Sequence, residues 1–101
     1  MPMTVIVTRD VEPRYRGFLA SVMLEIAPGV YTAPDMSKGV RERVWTVISG
    51  WYQTLGRGAI VMTWHDNSAT GRQGVLCLGE PPKNLIDADG LFLVYKANKK
   101  I

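Results

Sequence analysis

Two clusters of cations and one isolated carboxylate are the residues of this chain whose types and placing can do chemistry. Arg14 and Arg16 stand in the first turn of a segment that begins at Pro13, and Lys38, Arg41 and Arg43 stand in the first turns of another that begins near Met36. Cations at a helix start oppose the helix dipole by roughly 0.3–1 kcal/mol each when exposed, and the unpaired amides at the same place attract anions. If both helix starts lie along one edge of the domain, the five side chains make a ledge for phosphate groups. The alternative is a solvated charged face, with Asp35 and Glu42 as local partners. Asp10, where a first strand gives way to the first helix, is the candidate catalytic and metal-binding residue. Magnesium prefers oxygen ligands, and two copies of Asp10 across a dimer axis would supply two of them. Beside Arg9 and Glu12 the same carboxylate also reads as an ordinary loop residue.

Other chemistries are removed by composition. One cysteine and one histidine in 101 residues provide neither the four ligands of a structural zinc site nor a pair of thiols for exchange within the chain. His65 closes a strand and Cys77 sits in the next one; both read as structural, as do Trp51 and Trp64. A 47% hydrophobic content against 21% charged, with net charge +3, is that of a globular domain with a mild preference for anionic partners. No apolar run approaches the ~18–20 residues that span a bilayer, and the start lacks a signal-peptide pattern, so a cytoplasmic protein is expected.

The elements that must position these residues follow from periodicity. MTVIVT, residues 3–8, reads as a central strand. Tyr15, Phe18, Leu19, Val22, Met23 and Ile26 fall on one helical stripe, which predicts a helix from Pro13 to the breaker Pro28-Gly29. VYTA, 30–33, predicts a short strand. A second helix is expected over 36–55, capped by Asp35 or Ser37, burying Val40, Val44, Val47, Ile48, Trp51 and Leu55, and stopped by Gly56 and Gly58. Trp45 and Tyr52 make an aromatic pair that covers core or meets a partner. AIVMTWH (59–65), RQGVLCL (72–78) and LFLVYKA (91–97) read as three more strands. The expectation is one domain over 1–101: an α+β, ferredoxin-like two-layer sandwich, its sheet mainly antiparallel, two helices on one face, and an extra C-terminal strand. The last strand is apolar on both faces, which predicts a twofold homodimer using terminal strands or sheet faces.

In order and spacing, VIVTRDVEPRYRGFL, LEI, GVYTA, SKGVRERVWTVI, IVMTWHDNSATG, GVLCLGE and DADGLFLVYKA closely resemble the small CRISPR-associated adaptation protein of the Cas-two family, in its type I-E branch. The resemblance covers nearly the whole chain. It implies a homodimer of ferredoxin-like protomers that bridges two dimers of the integrase subunit, Cas-one, and holds double-stranded protospacer DNA during spacer acquisition. Carried over by position, it implies backbone contacts at Arg14 and Arg16, with Lys38 in the basic start of the second helix. It also implies that segment 91–101, with Leu91, Leu93 and Tyr95, docks on the integrase. The family is also described as magnesium-dependent nucleases of RNA or DNA acting through an acid after the first strand. Here that acid is Asp10, one position beyond Arg9, where type I-E relatives commonly carry it. Relatives also carry paired arginines where this chain has Pro82 and Lys83.

Overall fold

Alternation of buried and open positions along residues 4–9 makes the first strand, β1 (Thr4–Arg9): Thr4 and Ile6 are enclosed while Val7 on the other face is not. A computed structural model describes residues 3–79 and, as backbone, the segments 84–88 and 91–95. The elements after β1 are α1 (Pro13–Val22), β2 (Leu24–Ala27), β3 (Val30–Ala33), α2 (Lys38–Leu55), β4 (Ala59–His65), β5 (Gln73–Leu78), β6 (Asn84–Ala88) and β7 (Leu91–Tyr95). The first five strands form one sheet in the order β2-β3-β1-β4-β5, every pairing antiparallel, and β6 pairs with β7 in a separate ribbon. With two helices, this is a ferredoxin-like α+β sandwich.

The first helix is shorter than its apolar spacing predicts. It stops at Val22, Met23 is already extended, and Leu24–Ala27 pairs with β3 across a Pro28-Gly29 turn. Gly29 adopts φ 77°, a left-handed value that glycine takes at little cost. Its carbonyl accepts from the Thr8 amide at 2.7 Å, tying the turn to β1. Hairpin pairing thus overrides a helical pattern that continues by coincidence into Ile26, which is exposed.

Ser37 caps α2, its hydroxyl accepting from the Val40 amide at 3.3 Å, and Gly56 ends it with φ 60°. The buried stripe of α2 runs through Arg41, Val44 and Ile48, whereas Val40 faces outward. Tyr15, Leu19, Val44 and Ile48 close over Ile6, Tyr31, Ile60 and Met62, so both helices lie on one face of the sheet. Burying each such aliphatic side chain contributes about 1.5–3 kcal/mol. Tyr52 donates to the Gly58 carbonyl at 2.9 Å, joining the last turns of α2 to the start of β4.

Because β1 and β3 run antiparallel, the helices that follow them also run in opposite directions. Thr4 pairs with Ala33, just before α2, while Asp10 at the far end of β1 meets Arg57, just after it. The two helix starts therefore lie at opposite ends of the sheet. The opposite sheet face carries Val5, Val7, Val30, Val61, Val75 and Cys77, and neither helix covers it.

Candidate nucleic-acid interface

At one end of the helical layer, Arg14 places its guanidinium 5.4 Å from the ring centre of Trp51 on α2. Trp51 meets Tyr15 and Phe18 edge-on, at 5.6 and 5.5 Å between ring centres. These contacts press the start of α1 onto the last turns of α2 and hold Arg14 at the surface. Arg16 lies 3.4 Å from Glu25 and stays 56% exposed. Glu25 also accepts from the Gly29 amide at 3.0 Å; this amide, then Arg16, holds its carboxyl below the usual range. The N-cap Glu12 makes no side-chain capping bond, and Pro13 at the first helical position has no N–H. Arg14 and Arg16 thus sit at a helix start with no acid in its first turn.

Lys38, Arg41 and Arg43 stand at the other end, so the expected single rim is divided in two by the chain's connectivity. Lys38 and Arg43 are exposed. Arg41 is only 8% exposed and stacks on Trp64, 4.1 Å from the ring centre. A long aliphatic stem and a flat head allow arginine to occupy such a core-edge position. Trp64 in turn lies against Gly74, its cross-strand partner on β5, where a side chain would collide with the indole.

Asp10 has φ 57°, a left-handed value that aspartate tolerates better than most residues. Its carboxylate is 69% exposed and accepts from Arg57 at 3.0 Å; Arg57 also lies 3.5 Å from Glu12. The charged group nearest Asp10 is thus a cation. Among the described residues no three histidine, cysteine or carboxylate side chains gather to hold a metal ion. Within one protomer this surrounding is a poor fit for magnesium: among the described residues the carboxylates at hand are Asp10 and Glu12, and both already face Arg57.

Cys77 lies on the uncovered sheet face rather than under the helices, and partial burial pushes its thiol pKa up, away from a reactive thiolate. Of Leu91, Leu93 and Tyr95 only the backbone, in β7, is described. Pro82, Lys83 and the tail 96–101 lie outside the described residues. No helix among those described is long and apolar enough to cross a membrane.

The structure also gathers Trp64 and His65, which the sequence reads as structural, with residues of the turn that follows them. Trp64, His65, Asn67 and Ser68 join Lys38 and Arg41 around an open cleft of about 570 Å³. Asp66 lies in its wall, where Ser68 donates to its carboxylate through both hydroxyl, at 2.7 Å, and amide, at 3.0 Å, lowering its pKa. A histidine that ends a strand opposite a helix start was the available signal, visible only once β4 and α2 are placed together. Sheet order, helix placing and basic surface accompany a family match over residues 3–93, to the CRISPR-associated proteins designated Cas_Cas2CT1978. The chain belongs to this Cas2-type, CRISPR-associated family.

Proposed function

We propose that the protein is a structural, DNA-holding subunit of the spacer-acquisition complex, of the type I-E kind, working in the cytoplasm as a homodimer that bridges integrase dimers. The observation that carries this reading is the placing of exposed Arg14 and Arg16 at one end of the helical layer and exposed Lys38 and Arg43 at the other. The 18 residues of α2 span about 27 Å at 1.5 Å each. At 3.4 Å per base pair that is about eight base pairs of duplex. Phosphates along one duplex can meet both clusters, and such contacts position DNA without reading its sequence.

Dimerisation through the uncovered face agrees with its chemistry. Val5, Val7, Val30, Val61, Val75 and Cys77 form an apolar surface with no helix over it, and a twofold axis would bury two such faces together. Leu91, Leu93 and Tyr95 are the proposed integrase contacts, by analogy of position. The alternative, a magnesium-dependent nuclease acting through Asp10, is the weaker reading because that carboxylate is already paired with Arg57 and, among the described residues, no group of three possible ligands surrounds it.

The test is binding of a duplex of about 30 base pairs as salt is varied. Every phosphate that the protein no longer neutralises lowers the slope of log affinity against log salt by about 0.9. Replacing Arg14 and Arg16 by alanine should reduce it by about 1.8 per protomer while the protein stays folded. An unchanged slope and unchanged spacer acquisition in the folded double variant would reject the assignment.

A further inference from the structure

We propose that the cleft between the start of α2 and the end of β4 is a binding site for a nucleotide phosphomonoester, the terminal phosphate of a strand or a free nucleotide. The inference rests on the nucleic-acid reading only in taking a nucleotide as the carrier of the phosphate.

The central observation is Arg41. It occupies a core position of α2 and has only 8% of its surface exposed. Among the described residues its guanidinium has no carboxylate within ion-pair distance and no hydrogen bond; its close contact is the face of Trp64 at 4.1 Å. A guanidinium carries five N–H donors in a flat fork. Indole stacking satisfies its charge in part and none of those donors. A cation whose donors meet no protein partner and open into a cleft is complementary to a small oxyanion.

Further features stand at the same helix start, of which Lys38 lines the cleft. The amide of Val40 is taken by the Ser37 hydroxyl and that of Arg41 by the Ser37 carbonyl, which leaves the amides of Lys38 and Gly39 as free donors at the positive end of an 18-residue helix. A Cβ at Gly39 would meet nothing within 4 Å, so the backbone there is open to close approach. Lys38, exposed, also lines the cleft. Asp66 is the opposing charge in the wall, and both Ser68 donors are committed to it.

Recession sets Arg41 apart from the exposed basic residues, although Lys38 belongs both to this site and to the cluster beside it. A phosphodiester inside a duplex is flanked by chain on both sides and rests on convex surface. A phosphomonoester is free on three oxygens and can enter a cleft. The volume of about 570 Å³ lies within the ~300–1,000 Å³ typical of small-ligand sites and exceeds what phosphate alone would fill. His65 and Asn67 offer hydrogen-bonding groups to the attached sugar and base.

The experiment compares, by calorimetry on the full chain, a single-stranded tetranucleotide with and without a 5′ phosphate, and adenosine 5′-monophosphate with adenosine. The expected result is about tenfold tighter binding of the phosphorylated probe, competed by inorganic phosphate, and its collapse to less than about twofold in Arg41→Met, which keeps a stem on Trp64. A preference confined to the tetranucleotide identifies strand ends as the source, and one shared by the mononucleotide identifies free nucleotides; either supports the site. Equal affinity for phosphorylated and unphosphorylated probes overturns it, as does an unchanged preference in folded Arg41→Met. Should that variant fail to fold, Lys38→Ala serves: a preference reduced about threefold supports the site and an unchanged one overturns it. The ratio compares probes differing by one phosphate, so failure of long-duplex binding at low salt would sink the scaffold reading without altering it.

Discussion

The Arg57 guanidinium, two residues beyond the end of α2, donates to the Asp10 carboxylate at 3.0 Å. It draws the end of α2 and the end of β1 together, and the hydrogen bond to Asp10, followed by its charge, raises the Arg57 pKa further. To ligate magnesium the carboxylate would have to give up this contact, and among the described residues no cluster of three possible ligands stands by it to offset the loss. Any phosphodiester cleavage that accompanies the purified protein is therefore expected to be equal in Asp10→Asn, measured with magnesium on matched RNA and DNA substrates. Cleavage that disappears in the variant would restore the nuclease reading.

The separation of the two basic clusters sets a minimum length for the polyanion. Duplexes shorter than about eight base pairs cannot reach both ends of α2. Affinity at low salt is expected to rise steeply as duplex length passes that value and more slowly beyond it. Titration of a length series checks this; a smooth, strictly proportional rise would contradict the two-cluster geometry.

Acid should loosen the β2–β3 hairpin through Glu25. Its carboxyl is held below its ordinary value of 4.5 by the Gly29 amide first and Arg16 second. A depressed pKa in the folded state gives stability that is fully present above the ordinary value and lost as pH falls through the folded one. Parent and Glu25→Gln should accordingly differ in unfolding midpoint near neutral pH, and the difference should shrink as pH falls below the ordinary carboxylate value, as thermal melts across that range would show.

Gly74 has no room for a side chain because the Trp64 indole lies over it. Gly74→Ala is expected to cost about 1–3 kcal/mol, the usual range for overpacking, and to displace the indole from Arg41. Denaturant unfolding gives the first quantity and indole fluorescence reports the second. A variant of parental stability and spectrum would refute the contact.

Val7 is 42% exposed at the centre of the uncovered sheet face. Val7→Glu should leave the fold intact and yield a monomer in sedimentation, because twofold packing would bring two carboxylates together in an apolar interface. A dimer of unchanged affinity would place the association elsewhere.

Much of the frame is legible before any coordinates. β4 occupies the seven residues its apolar run marks out, α2 starts beside its serine cap and ends at its glycine, and β5 begins one residue late. β2 is hidden because Met23 and Ile26 extend the spacing of Tyr15, Phe18, Leu19 and Val22. Only four residues long and broken by a bulge, it exists through pairing with β3 rather than through its own pattern. β6 lies in a stretch that reads as turns. The basic residues are visible as types, and their division between two ends is a matter of connectivity: a ferredoxin-like fold reverses its second helix. Arg41 is the sharper lesson. Helical period places it beside Val44 and Ile48, but its charge argues for the surface, and only the neighbouring Trp64 explains how both hold.

Antiparallel helices have a mechanical consequence. A rod pinned at one point can pivot, whereas a rod gripped at two points a helix length apart has its angle set as well as its position. Any stiff polymer engaging both ends of this layer would thus be held at a defined heading, and a twofold pair of protomers would turn that heading into a fixed axis for whatever else joins the assembly.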